Sequence, residues 1–322
     1  MVEFRSSDLH RQARELQQRA GNPKKLVLIH TAVALGSSLL ITVLNYLFSL
    51  QIAETGGLSG LGLRSILSTV QASLELIVMA ALPFWEIGLL FAALQWTKGE
   101  TAEVHSLFQG FRRFGTVLAF RLLYGGIFAV LGLAVFHIST FLFVMTPFAA
   151  PLMELLAPIL DPSATAQQLE TLLTPELMST AAKTMTPLFV LFGILFLLLA
   201  IPVFYRLRFG EFAVMEGTGA WRALLKSLQI TQKNTGKLLK LDLHFWWFYL
   251  LQVLCLAISW ADTVLPHLGI MLPVSQEVGY FLFFTAGTVL QGVLLWQYQG
   301  QVLTTYCLAY DALTGRTLTE SE

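Results

Sequence analysis

The chain has 322 residues, 55% of them apolar and 12% charged, with a mean hydropathy of +0.67. Soluble domains carry about a quarter charged residues. This composition therefore excludes a soluble enzyme, a disordered or collagen-like chain and a nucleic-acid binder, and it predicts an all-α polytopic membrane protein. The 20 Lys and Arg balance the 20 Asp and Glu, so no global field favours an acidic or a basic partner.

Residues 1–25 are polar. Leu9, Ala13 and Leu16 share one side of a helical segment that Gly21 and Pro23 stop. Apolar runs follow at 26–50, 70–96, 117–143, 188–205, 241–260 and 280–306. Each reaches or approaches the ~20 residues that cross ~30 Å of hydrocarbon, which predicts six transmembrane helices in a single domain. The first run is too long for a signal-peptide core and is expected to stay as a membrane helix. Pro83 predicts a kink in the second. The fourth is the shortest and ends near Pro202.

With the N-terminus placed in the cytoplasm, only Arg64 and Lys183 of the 20 cations fall on the outer side. That asymmetry predicts both termini inside, with 1–25, the basic loop 206–240 and the tail 311–322 cytoplasmic. Residues 149–187 form an extracytoplasmic excursion. Asp161-Pro162 and Thr174-Pro175-Glu176 have the pattern of helix starts there, predicting two short helices.

Two further segments read as amphipathic helices in the cytoplasmic interface. One is 103–113, with Val104, Leu107, Phe108 and Phe111 on one face and Arg112 and Arg113 at its end. The other is 221–232, with Trp221, Leu224, Leu225 and Leu228 beside Arg222 and Lys226. Such helices lie apolar side down, their cations among anionic headgroups. Each follows a Gly-Glu pair, Gly99-Glu100 or Gly210-Glu211, which suggests a parallel pseudo-repeat.

Four stretches carry a resemblance: Ala13-Arg14-Glu15-Leu16 with Gly21-Asn22; Gly88, Lys98-Gly99-Glu100 and Leu107-Phe108-Gln109-Gly110-Phe111; Ala200-Ile201-Pro202 with Tyr205, Phe209 and 223–227; and Thr304-Thr305 with Tyr310 and Leu313. In these the chain resembles the bacterial integral membrane family catalogued as domain of unknown function 975. More distantly it is similar to the membrane domain that precedes some glycerophosphodiester phosphodiesterases. It departs from the family at Gln297-Tyr298, where Pro-Tyr is usual, and at Val203, where a Gly follows the Ile-Pro pair. The resemblance implies the fold and a bacterial plasma-membrane location, and it implies no activity.

Ionisable residues within a span are costly and mark candidate sites. Glu86 lies ten residues before Trp96, about 15 Å along a helix, which predicts a position near mid-bilayer. Glu75 lies eleven residues earlier, within ~20° of the same face if the helix is unbroken. The pair could line a cation or proton path, or Glu86 could only tie the bundle together by hydrogen bonding. Gln291 and Gln297 are candidate partners in the last span. Cys255 and Cys307 read as free, buried thiols. No Walker loop, HExxH or GxSxG occurs, and the six histidines are scattered, so no catalytic residue, metal site or cofactor is expected. The expected function is transport or permeation of a small solute, ion or lipid headgroup. The alternative is a non-catalytic scaffold or accessory subunit that binds a cytoplasmic protein.

Overall fold

The computed structural model describes residues 6–20, 23–54, 58–160, 175–267 and 276–315, and these are helical with short connections. In chain order the helices are α1 (Ser6–Arg19), α2 (Pro23–Glu54), α3 (Leu58–Thr97), α4 (Gln109–Arg112), α5 (Phe114–Val144), α6 (Ala149–Leu160), α7 (Pro175–Leu207), α8 (Gly210–Met215), α9 (Ala220–Thr231), α10 (Thr235–His244), α11 (Trp246–Ser259), α12 (Ala261–His267) and α13 (Gln276–Thr314). Five stretches are long and apolar enough to cross a membrane: Pro23–Phe48, Ser65–Thr97, Phe114–Val144, Lys183–Met215 and Val278–Thr314. A sixth is counted if α10 and α11 are taken as one span bent by 65°. The protein is thus membrane-embedded and all-helical in its described residues.

The chain forms two compact units, one of residues 1–118 with 209–322 and one of 119–208. In the first, α3 and α13 have 40 and 39 residues. At 1.5 Å per residue each is about 60 Å long, twice the hydrocarbon thickness. Their halves differ. The first half of α3 exposes apolar side chains such as Leu76 (70%), as a lipid-facing helix must, whereas Ile87, Leu89, Ala92 and Ala93 are fully buried. Likewise α13 exposes Leu282, Val289 and Val293 but buries Thr304, Thr305, Cys307 and Tyr310. The second halves are enclosed by α1, α9 and α10, by the short apolar α8 and by the 104–112 segment, forming a wrapped end that carries most of the cations.

The 104–112 segment is a 3-10 turn (Val104–Phe108) followed by the single turn α4, in place of the expected amphipathic helix. Two glycines explain it. A Cβ on Gly88 would lie 1.9 Å from the Leu107 carbonyl oxygen, and one on Gly110 would lie 2.0 Å from that of Phe84. Backbone therefore rides on backbone, and the segment runs back along α3 with Ser106 Oγ donating to Gln95 Oε1 at 2.8 Å. The helix α3 itself continues through Pro83. The expected fifth span is broken at Phe245, which is buried and has left helical geometry (φ −102°, ψ 14°). Close approach recurs where α11 meets α13, since a Cβ on Gly287 would fall 2.1 Å from Ser259 Oγ. Small residues of this kind let membrane helices touch through their backbones.

In the second unit, Phe143, Ala149, Leu152 and Leu188 form a core that joins α5, α6 and α7. Gly132 admits Phe196, and Phe136 meets Phe192 edge to face at 6.1 Å. The expected short fourth span is instead part of α7, 33 residues long and uninterrupted by Pro187 or Pro202. Helix α7 starts at Pro175, as the Thr-Pro-Glu pattern predicts, but runs on into the membrane stretch, so the helix expected to start there is long and not short. Asp161-Pro162 lies outside the described residues.

Candidate functional site: a polar seam between three helices

Helices α2, α3 and α13 pack on one another, with α2 and α13 antiparallel. Their register is read from Tyr46 stacked on Phe281 (4.9 Å), Gly292 against Leu35 and Thr31, and Gly300 against Val27. Polar side chains on these helices are buried without a hydrogen-bond partner in the protein: both ring nitrogens of His30, Thr31 Oγ1, Asn45 Oδ1, Thr285 Oγ1 and Gln299 Oε1. In hydrocarbon each such group is expensive, because no solvent compensates it. At the end away from the wrapped half, the Tyr280 hydroxyl lies beside Thr42 and in the field of Asp262 and Glu75. Asp262, on α12, is 5% exposed, and its Oδ1 also has no partner.

The sequence-predicted residues divide. Glu75 joins the seam's outer end, where it accepts from the Gln71 amide at 2.8 Å. Gln291 is half-buried on α13 beside Gly292. Glu86 is exposed. The neighbouring Trp85 donates its indole N–H to the His30 carbonyl at 3.0 Å, and His30 is only seven residues into α2, about 10 Å from its start. Trp96, from which the depth of Glu86 is counted, is 1% exposed, inside the wrapped end. Eleven residues of unbroken helix place Glu75 and Glu86 about 16 Å apart along α3. Gln297 is exposed and accepts from Lys24 Nζ at 3.3 Å. The residues absent from the sequence prediction are His30, Thr31 and Asp262. The available signal was an imidazole and a hydroxyl side by side within the first apolar run.

The residues assigned to the membrane interface divide as well. Arg112, Trp221 and Arg222 are exposed. Arg113 instead donates to the Val214 carbonyl at 2.8 Å, satisfying the last turn of α8. Lys226 pairs with Glu216 at 2.7 Å and lies over the Tyr310 ring, while the Tyr310 hydroxyl donates to the same Glu216 oxygen at 2.8 Å. These two cations hold helices together. Leu224, expected on the same face as Trp221, is buried against the unit instead.

The same end clamps α1 onto α13. Gln17 donates to Thr304 at 3.2 Å, His10 Nε2 meets the Gln301 amide at 3.1 Å, and Leu9 and Ala13 are buried. Nearby, Tyr306 donates to Asp242 and meets the Tyr249 hydroxyl at 2.7 Å. Burial, then the neighbouring His244 ring at 4.6 Å and Arg14, push the His10 imidazole below its ordinary value of 6.5. The folded state therefore favours neutral His10. Its contribution is full above about pH 6.5 and is lost as pH falls below that toward the depressed value. A spin label on α1 is expected to gain mobility on acidification in the wild type, and His10→Gln to remove that dependence. Identical pH profiles for the two proteins would refute the assignment.

A cleft of about 470 Å³ opens between the start of α2 and the 101–105 connection, lined by Ala20, Lys25, Leu26, Ile29, Thr101 and His105 among others. Leu26 and Ile29 lie within one helical turn of His30. Among the described residues no three His, Cys, Asp or Glu side chains gather closely enough to hold a metal ion. Comparison with protein-family models, curated proteins and solved structures finds no match. The class is defined by the architecture: a helical membrane protein in which three helices enclose polar atoms along a seam.

Proposed function

We propose that this protein spans the membrane six times, counting α10–α11 as one bent span, with its basic wrapped end in the cytoplasm, and that it passes a small solute along the seam of α2, α3 and α13. The observation that carries this reading is the file of buried, unpartnered polar atoms from Gln299, His30 and Thr31 to Asn45, Thr285 and Asp262. A purely structural bundle gains nothing from such groups, since apolar residues of the same size would pack there at lower cost. Glu75 and Asp262 give the outer end acidic character, which disfavours anions. The kinship with the family of domain 975 belongs to this proposal as a relationship of fold alone.

A second reading rests on a different observation. Trp221 and Leu225 are exposed on α9 beside Arg222, a surface suited to anionic headgroups or to a cytoplasmic protein, as in a scaffold or accessory subunit. Thiol labelling separates the two readings. In a background lacking Cys255 and Cys307, Asn45→Cys and Gln299→Cys are expected to react with a membrane-impermeant reagent from opposite sides. Val43→Cys, which faces lipid, is expected not to react. If neither seam position reacts in folded protein, the permeation reading fails and the scaffold reading takes its place.

A further inference from the structure

The seam narrows its chemistry at one point. His30 is 3% exposed and Thr31 4%, and together they present three buried polar atoms without a partner in the protein. A histidine that only fills space in a core normally uses at least one ring nitrogen. Here the ring is held by other means. It stacks on Trp85 with an interplanar angle of 8° and a centroid separation of 5.9 Å, while the Trp85 N–H is engaged by the His30 carbonyl. Trp85 is in turn braced edge-on by Phe108 at 5.4 Å. The imidazole is therefore positioned, with one edge turned toward the Trp85 backbone without closing a hydrogen bond and the remaining nitrogen left to something else. Across the seam stands Gly292, whose missing side chain would otherwise approach Thr31.

From this geometry we propose that His30 and Thr31 form a binding site for small neutral hydrogen-bonding solutes, amides, alcohols or polyols. The inference rests on the permeation reading and names its substrate class. The donor set decides the class. A neutral imidazole offers one N–H donor and one acceptor nitrogen, and the Thr31 hydroxyl offers both. That set matches a solute that both gives and accepts hydrogen bonds. An ion held at these atoms would need a buried counter-charge, which a neutral imidazole and a hydroxyl do not supply. The carboxylates of Glu75 and Asp262 belong to the opposite end of the seam.

The test uses full-length protein in liposomes, with urea and glycerol as probes and stopped-flow light scattering as the readout. Wild type is expected to pass at least one of them faster than protein-free liposomes. His30→Phe, which keeps the stacking and the backbone carbonyl, and Thr31→Val, which keeps the shape, are each expected to lower that rate about tenfold, the worth of one hydrogen bond to a neutral group. Both variants remove unsatisfied atoms, so neither is expected to unfold more easily than wild type. Gly292→Val narrows the site and is expected to slow glycerol more than urea. A second readout does not depend on flux. Diethyl pyrocarbonate, a small neutral acylating reagent, is expected to modify His30 despite its burial, as read by mass spectrometry. Modification of His30 without any flux through wild type would support the site and sink the permeation reading. Flux unchanged in both His30→Phe and Thr31→Val, or an unmodified His30 while exposed His105 reacts to completion, would overturn the site.

Discussion

Gly88→Val is expected to prevent the wrapped end from forming. Any Cβ at that position meets the Leu107 carbonyl oxygen at 1.9 Å, with the Leu107 carbonyl carbon at 2.5 Å and its Cα at 2.7 Å. All three are backbone atoms, so no rotamer change relieves the overlap. The 104–112 segment would have to leave α3, exposing the fully buried Leu107 and uncovering Trp96's surroundings. Overpacking against side chains costs about 1–3 kcal/mol, and against immovable backbone more. Gly110→Val is expected to do the same from the other side, at Phe84. Gly115→Ala is the control: nothing lies within 4 Å of its Cβ position, and replacing a helical glycine by alanine is worth about 0.5–1 kcal/mol in the stabilising direction. Thermal unfolding in detergent measures all three. A Gly88 variant as stable as wild type would show that the segment does not ride on α3.

The second large effect is expected at Glu216. Its side chain is 14% exposed and serves two partners at one oxygen, the Lys226 ammonium and the fully buried Tyr310 hydroxyl. Phe209 and Phe212 flank the Tyr310 ring at 5.4 and 5.3 Å, so that hydroxyl has little room to turn toward solvent. Glu216→Ala strands an ammonium and a hydroxyl together and is expected to destabilise the protein by about 2–4 kcal/mol. Lys226 keeps 32% of its side chain in solvent, which sets the effect below that of a wholly buried pair. Glu216→Gln keeps an acceptor for Tyr310 and is expected to lose less. Pairing Glu216→Gln with Lys226→Met is expected to recover part of the loss of either single change, because no unmatched charge remains buried. Strict additivity in that double-mutant cycle would show that the two side chains are not coupled.

The contrast between Lys226 and Arg222 shows how far a sequence reaches. Both sit on the same amphipathic segment, and by composition either suits a headgroup. Arg222 is exposed, whereas Lys226 faces Glu216 from another helix and Tyr310 from a third. Nothing in the local pattern distinguishes them, since the partners lie 10 and 84 positions away in the chain. Arg113 is the same case, its guanidinium drawn to a carbonyl 101 residues distant. Trp96 meets the same limit. A tryptophan at the end of an apolar run reads as an interface anchor, but Trp96 is enclosed by the elements wrapped around it. The depth read for Glu86 rests on that anchor. His30 was passed over because a lone histidine carries little weight without knowing whether its nitrogens find partners.

The sequence alone determined the properties that add up along one dimension. Apolar run length sets which segments can cross a bilayer, and composition sets the membrane class and the all-helical backbone, because in hydrocarbon a helix satisfies its own hydrogen bonds. The clustering of cations marked the end that the polar helices enclose. Only the tertiary structure decided where the long helices stop facing lipid, that the chain breaks at Phe245, which cations are consumed as internal ties, and that the seam of α2, α3 and α13 holds polar atoms without partners. Each of these depends on what stands opposite a residue, and that is governed by close approach at glycines such as Gly88, Gly110, Gly287 and Gly292, whose effect is exerted on neighbours remote in the chain.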